Sequence, residues 1–222
     1  MSKNTPIIDI YIPSREKDEF YRQAEKSIRE KTQVPIRMIE AVGPRSISGN
    51  RNAGLRAASS EFVASLDSDC EIATDGWLER MLESMLSQER IGLVGCKIVM
   101  FDGKIFSAGT APNWRPYGYG EIDQGQREMA EVVAGVSANC LLYRRGLLEY
   151  DERFIGGNGL EDSDYCIRLR QKGYRILYDG RVKVIHKKYP KDKTPFFWNH
   201  LYFHLKHPTT IFTQYRKVNL HY

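Results

Sequence analysis

At 222 residues, 41% hydrophobic and 27% charged, the chain has a globular composition and enough length to bury a substantial core in one domain. Its formal charge of +5 admits an anionic partner (nucleic acid, a membrane surface or a phosphorylated small molecule) and selects none of them. The four cysteines, Cys70, Cys96, Cys140 and Cys166, form no CxxC pair; zinc and dithiol spacings are excluded, and buried free thiols in a reducing cytoplasm are expected. Met1 to Pro6 lacks the apolar core of a signal peptide, and no run approaches the length of a membrane span.

Ile7 to Ile12 is isoleucine-rich and stopped by Pro13, which predicts a strand. Polar Ser14-Arg15-Glu16 follows, then a helix to about Lys31 with Phe20, Ala24 and Ile28 on its apolar stripe. Pro35 restarts the chain into a second strand, Ile36 to Val42. A short helix around Asn50 to Ala58 leads to a third strand, Phe62 to Leu66. This β-α-β-α-β order, with short connections and almost continuously apolar strands, predicts a parallel sheet covered by helices on both faces. Ligands gather beyond the carboxyl ends of such strands. Ser14 to Glu16, Glu40 and Asp67 to Asp69 all lie at such ends.

Further on, Thr74 is expected to cap a helix whose core stripe is Leu78, Met81, Leu82, Met85 and Leu86. Ile91 to Met100 reads as a strand, and Asp102-Gly103 as a hairpin turn into Lys104 to Ser107. Periodicity vanishes from Thr110 to Glu128. That loop, rich in aromatics, Gly and Pro, suits a substrate loop better than disorder. Val132 to Tyr143 returns to strand. Gly156, Gly157 and Gly159 then free the backbone ahead of a helix from Glu161 to Lys172, with Gly173 ending it and Cys166 and Leu169 facing the core. Tyr174 to Tyr178 and Val182 to Ile185 are expected as two last strands.

Two carboxylate pairs and two single residues could carry chemistry. Asp67 and Asp69, one residue apart at a strand end, can aim two hard oxygen donors at a divalent cation, which suits a phosphate; a plain polar turn is the competing reading. Glu161 and Asp162 open a helix, where the dipole favours the ionised form and a carboxylate can accept a proton; first-turn capping competes. His186, at a strand end, could ligate a metal or be structural. Arg51 could hold a phosphate, organise these carboxylates, or make a surface ion pair. Neither a GxxxxGK[ST] nor a GxGxxG loop occurs, so any nucleotide would be held through metal and side chains.

Taken together, these segments resemble family 2 glycosyltransferases of the GT-A fold, in a rhamnosyltransferase-like branch. Ile10-Tyr11-Ile12-Pro13-Ser14 is similar to the family's first strand and nucleotide loop. Asn50-Arg51-Asn52-Ala53-Gly54 with Ala57 resembles its ARNxG helix, and Phe62 to Asp69 its strand ending in a DXD motif. Ala134-Gly135 to Arg144-Arg145, Asp151-Glu152-Arg153-Phe154, Glu161-Asp162-Ser163-Asp164 with Arg168-Leu169, Gly173 to Ile176 and Val184-Ile185-His186 resemble the acceptor half. The similarity covers residues 6–187. It implies a single α/β domain, a Rossmann-like, mixed but mainly parallel sheet flanked by helices, spanning residues 1–190. The donor half is expected at about 1–100 and the acceptor half at about 101–190, with a basic, aromatic extension at 191–222.

The resemblance further implies inverting, metal-dependent transfer of a hexosyl or deoxyhexosyl group to an acceptor hydroxyl, in polysaccharide or glycoconjugate synthesis. The donor would be a UDP-, GDP- or dTDP-sugar, the acceptor a saccharide or a lipid-linked molecule, and the cofactor Mn2+ or Mg2+. Asp69 would coordinate the metal, Asp67 the ribose or the metal's water shell, and His186 the third metal position. Asp162 would be the general base, with Glu161 orienting the acceptor or sharing that role. Pro13, Ser14, Arg15, Glu16 and Glu40 would line the nucleotide, with Arg51 and Ser68 beside it. One departure concerns the nucleotide loop: Glu40-Ala41-Val42-Gly43-Pro44 stands where the family carries acidic residues followed by glycine and serine.

The basic run Lys187 to Lys193 and the aromatic segment from Phe196 to Phe203 admit three roles: packing on the core or on a second copy in a homodimer, contact with an anionic membrane, or part of the acceptor site. The expected location is the cytoplasm, extending to the inner face of the membrane. Two rival functions are a nucleotidyltransferase, which also pairs aspartates at a strand end but needs a glycine-rich basic loop that is missing after the first strand, and a nucleic-acid-binding module built on the tail. A nucleic-acid partner is not expected.

Overall fold

The structure is a computed structural model, and it describes residues 6–155, 159–188 and 196–209. Gly156 and Gly157 of the glycine loop, the stretch 189–195 and residues 210–222 lie outside it. Along the chain run β1 (Ile8–Tyr11), α1 (Glu19–Lys31), β2 (Ile36–Ile39), α2 (Ile47–Ala57), β3 (Phe62–Leu66), β4 (Cys70–Ile72) and α3 (Trp77–Leu86). Then come β5 (Ile91–Met100), β6 (Ile105–Ser107), β7 (Ala130–Val133), β8 (Cys140–Arg144), α4 (Glu161–Gln171), β9 (Arg175–His186) and α5 (Phe196–Lys206).

The strands form one mixed sheet in the order β2-β1-β3-β8-β5-β9-β4, with β6 on β5 and β7 on β9. Strands β2, β1 and β3 are mutually parallel, β8 runs against β3 and β5, and β9 is parallel to β5. Five of the seven strands on this path therefore point the same way; only β8 and β4 oppose them. Consequently the chain leaves β1, β2, β3 and β9 on one edge, where Ser14, Glu40, Asp67 and His186 stand.

Alternation along the strands divides the core into two layers. Ile8, Ile10, Phe62, Ala64, Cys140 and Leu142 face α1 and α3, whereas Tyr11, Val63, Leu141 and Tyr143 face the α4 side. All four cysteines are buried and free, as thiols acting as small apolar residues should be. The close approach of α2 to β1 requires Gly54, because a Cβ there would lie 2.4 Å from the ring of fully buried Tyr11. Alanine is favoured over glycine inside a helix by about 1 kcal/mol, but overpacking costs about 1–3 kcal/mol. Gly54→Ala is thus expected to lower the melting temperature despite its better helix propensity, and a melt at or above wild type would contradict this packing.

Several sequence expectations need correction. The stripe of α1 buries Tyr21 with Ala24 and Ile28, whereas Phe20 is only partly covered and lies under the Lys188 ammonium. Thr74 does not cap α3; its hydroxyl accepts from the Lys183 amide, and Gly76 in the left-handed region starts the helix. Leu86 is exposed, one position past the buried stripe. The expected strand Val132 to Tyr143 is two strands, because Thr110 exchanges backbone hydrogen bonds with Ala134 and Gly135 and draws the chain off the sheet. Conversely, the last two expected strands are one, β9. Its pairing with β5 jumps from Cys96–Asp179 to Lys97–Lys183, so a bulge absorbs the break that Asp179-Gly180 suggested.

Helix α5 is fastened to the end of the fold that carries α4. The Asn199 side chain both accepts from the Ile155 amide (3.1 Å) and donates to its carbonyl (2.8 Å). Tyr202 and Lys206 donate to Asp151 at 2.7 and 2.6 Å, and Lys206 and His207 reach fully buried Asp164 at 2.7 and 2.8 Å. Phe203 is fully buried, with Trp114 edge-on to it. Core packing is therefore one role of the aromatic segment.

Candidate functional site

Strand β3 delivers Asp67 because Leu66 is its last paired residue; the Asp67 amide then bonds the Asn139 carbonyl (2.8 Å) and the chain turns through Ser68 and Asp69 into β4. Strand β4 begins where β9 ends, with Cys70 opposite His186. That register places His186 Nε2 3.7 Å from Asp69 Oδ1. Ligand atoms of Asp69, Cys70 and His186 all lie within 4.8 Å of one another. The imidazole is buried and stacked on Phe106 (5.8 Å), and its Nδ1 has no hydrogen-bond partner among the described residues.

A carboxylate beside an imidazole, with an orphaned buried ring nitrogen, is a donor set that suits a borderline or hard divalent ion. Burial pushes the Cys70 thiol well up, assisted by Asp67 and Asp69, as in a thiol packed with apolar neighbours. These residues fit a divalent cation.

Asp67 is held differently. Arg51 Nη2 donates to both its oxygens (3.0 and 3.1 Å), and Asn139 Nδ2 adds a third bond (3.2 Å). The other arm of the same guanidinium, Nη1, donates to Glu161 Oε1 at 2.9 Å, across 110 residues of sequence. Arg51, 3% exposed, lies over the Tyr150 ring and leaves Nε without a partner. Burial works against its charge, but Asp67 and Glu161 hold its pKa well above the usual value. It is thus a permanently charged bridge between the two acidic motifs.

Next to Glu161, Asp162 makes no ion pair of this kind among the described residues. Its Oδ1 accepts from the Ser163 amide (2.7 Å). Burial, followed by repulsion from Glu161, raises its pKa to about 6. Leu160, which precedes the pair, has φ +77°, a left-handed conformation costly for a non-glycine residue that turns the chain abruptly into α4. Fixing Glu161 on Arg51 leaves Asp162 as the carboxylate with a pKa suited to proton transfer near neutrality.

Ser14, Arg15, Glu16 and Glu40, expected to line a nucleotide, form a rim. Ser14 pairs with Val42, bringing the loops after β1 and β2 together. Asn50 Nδ2 cross-links them by donating to the Ser14 carbonyl (2.9 Å) and the Gly43 carbonyl (3.0 Å). Pro13 is buried at the base of this rim; Arg15 and Glu16 are exposed, and exposed Glu40 faces Lys17 at 3.5 Å. Direct bonds join Arg51, Asp67 and Glu161, and Asp69 adjoins His186, whereas Arg15, Glu16 and Glu40 line the outer edge.

Sequence reasoning did not single out Asn139, and it quoted Asn50 and Asn52 in the ARNxG-like motif without giving them a role: Asn139 positions Asp67 and Asn50 the rim. Asn52 donates to the Tyr150 carbonyl and to Glu152 and ties α2 to the segment leading towards α4. Polar residues on a helix and in a turn gave no spacing signal. The loop 110–128 is folded back on itself by Ala111–Arg115 and Gly109–Tyr117 backbone bonds, with buried Lys97 gripping Asp123 and the Gln126 carbonyl.

Residues 12–150 match Glycosyl transferase family 2. The chain is 24% identical over 226 residues to the O-antigen biosynthesis protein RfbC of Myxococcus xanthus, covering 83% of this chain and 17% of that protein. It is 32% identical over 145 residues to a pre-mycofactocin glycosyltransferase of Mycobacterium tuberculosis, covering 61% of this chain and 29% of that protein. The chain thus spans less than a third of either relative.

Among solved structures, GalNAc-T7 with UDP, GalNAc and Mn2+ superposes with a TM-score of 0.66 at 12% identity, over 94% of this chain and 52% of that one. A Drosophila galactosyltransferase 7 with manganese, UDP-Gal and xylobiose gives a TM-score of 0.50 at 16% identity, over 79% of this chain and 65% of that one. These likenesses establish the GT-A fold, a mixed, mostly parallel sheet between helices. The match over 12–150 contains Arg51 and the Asp67–Asp69 turn but ends before α4 and His186, whose placement rests on the geometry above. By that family match, the chain belongs to glycosyl transferase family 2.

Proposed function

We propose that this chain transfers a sugar from a nucleoside-diphosphate donor to an acceptor hydroxyl, with inversion at the anomeric carbon. The observation that carries the reading is the Arg51 bridge: one guanidinium ties a turn fitted for a cation and diphosphate to the helix start that bears a carboxylate with a pKa near 6. The family match supports this over nucleotidyl transfer. Relatives and neighbours named for glycosyl transfer, UDP-sugars and manganese support the same choice.

Asp69 and His186 would hold Mn2+ or Mg2+, which when bound neutralises charge developing on the departing diphosphate. Asp67, fixed by Arg51 and Asn139, is placed to accept from the ribose or from the ion's water shell. The rim of Pro13, Ser14, Arg15, Glu16 and Glu40, cross-linked by Asn50, lines the nucleotide, with Ser68 beside it. Asp162 takes the proton from the acceptor hydroxyl as that oxygen attacks. Glu161, pinned by Arg51, orients the acceptor. We assign the donor half to about residues 1–100 and the acceptor half to about 101–190.

Two results are expected. In a thermal-shift screen of UDP-, GDP- and dTDP-sugars, one class raises the melting temperature only with Mn2+ or Mg2+ present, and Asp69→Ala abolishes that rise. A shift indifferent to metal would count against the cation site. Turnover at saturating substrate should fall about tenfold per pH unit below about 6, as Asp162 becomes protonated. A flat profile between pH 5 and 7 would exclude Asp162 as the base.

A further inference from the structure

We propose that the outer face of α5 is a docking surface for an anionic phospholipid bilayer. Phe197, Trp198, Leu201 and Leu205 are 68%, 59%, 40% and 74% exposed. At about 100° per residue they occupy an arc of about 100° on the helix. No Asp, Glu, Lys or Arg occurs between Phe196 and Leu205. The opposite face is the one that bonds Ile155, Asp151 and Asp164 through Asn199, Tyr202 and Lys206 and buries Phe203. The helix is thus fastened by polar bonds on one side while presenting four large apolar side chains on the other.

Charge decides among occupants. Residues 187–222 carry seven Lys or Arg and one Asp, a net +6, against +5 for the whole chain, so residues 1–186 carry −1. The entire positive excess is gathered at the segment that contains α5. Lys193 and Lys191 precede Phe196 by three and five residues in the sequence. A second copy would set +6 against +6, whereas an anionic lipid surface attracts such a segment by about 1 kcal/mol per basic residue near it. Aromatic and leucine side chains on one face, flanked by lysines, match the headgroup–acyl boundary. No helix among the described residues is long and apolar enough to cross a membrane, so the contact is one that lies on the surface. It also places the bilayer against the α4 end of the fold, a consequence that alone rests on the functional reading.

Flotation of the 222-residue chain with phosphatidylcholine vesicles, and with vesicles containing 30% phosphatidylglycerol, tests this at 150 and 500 mM NaCl. The expected result is binding to the anionic vesicles only, weakened by the higher salt, and reduced at least tenfold in W198S/L205S and in K191E/K193E. The second variant lies outside the docked face of α5, so its effect does not depend on helix packing; unchanged far-UV circular dichroism controls the first. Equal binding by the variants, equal binding to neutral vesicles, or no binding would each overturn the proposal. So would an absence of vesicle binding accompanied by a dimer, or by binding of a single-stranded oligonucleotide, that the same variants abolish.

Discussion

Asp162→Asn is expected to reduce turnover by about 10²–10⁴-fold, the usual contribution of a general base, while leaving donor affinity unchanged. The substitution keeps the oxygen that accepts from the Ser163 amide, so the start of α4 should hold its shape. It also carries an opposite effect on stability. The folded pKa of Asp162 is about 6, above the roughly 3.9 of an unfolded aspartate. The folded chain therefore binds this proton more tightly than the unfolded chain. The corresponding stability is fully present below about pH 4 and is lost as the pH rises through 6. At pH 7 the half-buried, ionised carboxylate is a burden, and the neutral amide should raise stability by about 1–3 kcal/mol. A more stable, donor-binding, inactive variant is the signature; normal turnover would remove Asp162 from the chemistry.

Arg51→Met should produce the largest loss of stability. Removing one partner of a buried ion pair leaves uncompensated charge and typically costs about 3–5 kcal/mol; here two carboxylates, half-buried Asp67 and buried Glu161, would lose their common partner. For a domain of this size about 1 kcal/mol corresponds to about 2–4 °C, so the melting temperature should fall by about 10 °C. Arg51→Lys keeps the charge, but a single ammonium cannot reproduce the fork that reaches both carboxylates, so it should recover only part of the loss. A melting temperature within about 2 °C of wild type for Arg51→Met would show that the bridge is not a structural element. Its effect extends to the site, because Asp67 would be left beside Asp69 without its guanidinium, and donor binding should weaken with stability.

Much of this was readable before any coordinates. The β-α-β-α-β opening was legible because fully buried strands leave continuous apolar runs, and the carboxyl-end rule then placed Ser14, Glu40 and Asp67 on one edge. Asp69 and His186 could be named from resemblance but not brought together by spacing; their contact depends on the Cys70–His186 register, a pairing over more than a hundred residues. Arg51 shows the limit clearly. A lone arginine on a helix equally suits a phosphate, a carboxylate or solvent, and only the fold reveals both of its arms occupied by protein carboxylates. The partners of the asparagines were unreadable for a related reason, since amide cross-links such as Asn50 to Ser14 and Gly43 follow no periodicity.

The central claim, that the Asp67–Asp69 turn and His186 hold a cation and the donor diphosphate, is tested most directly by calorimetric titration of UDP, GDP and dTDP into the wild-type chain and Asp69→Ala, with and without Mn2+. The account predicts that at least one nucleotide binds the wild type only when the metal is present, and that Asp69→Ala removes this binding. Nucleotide binding that is equally strong without metal, or that survives in Asp69→Ala, would contradict it.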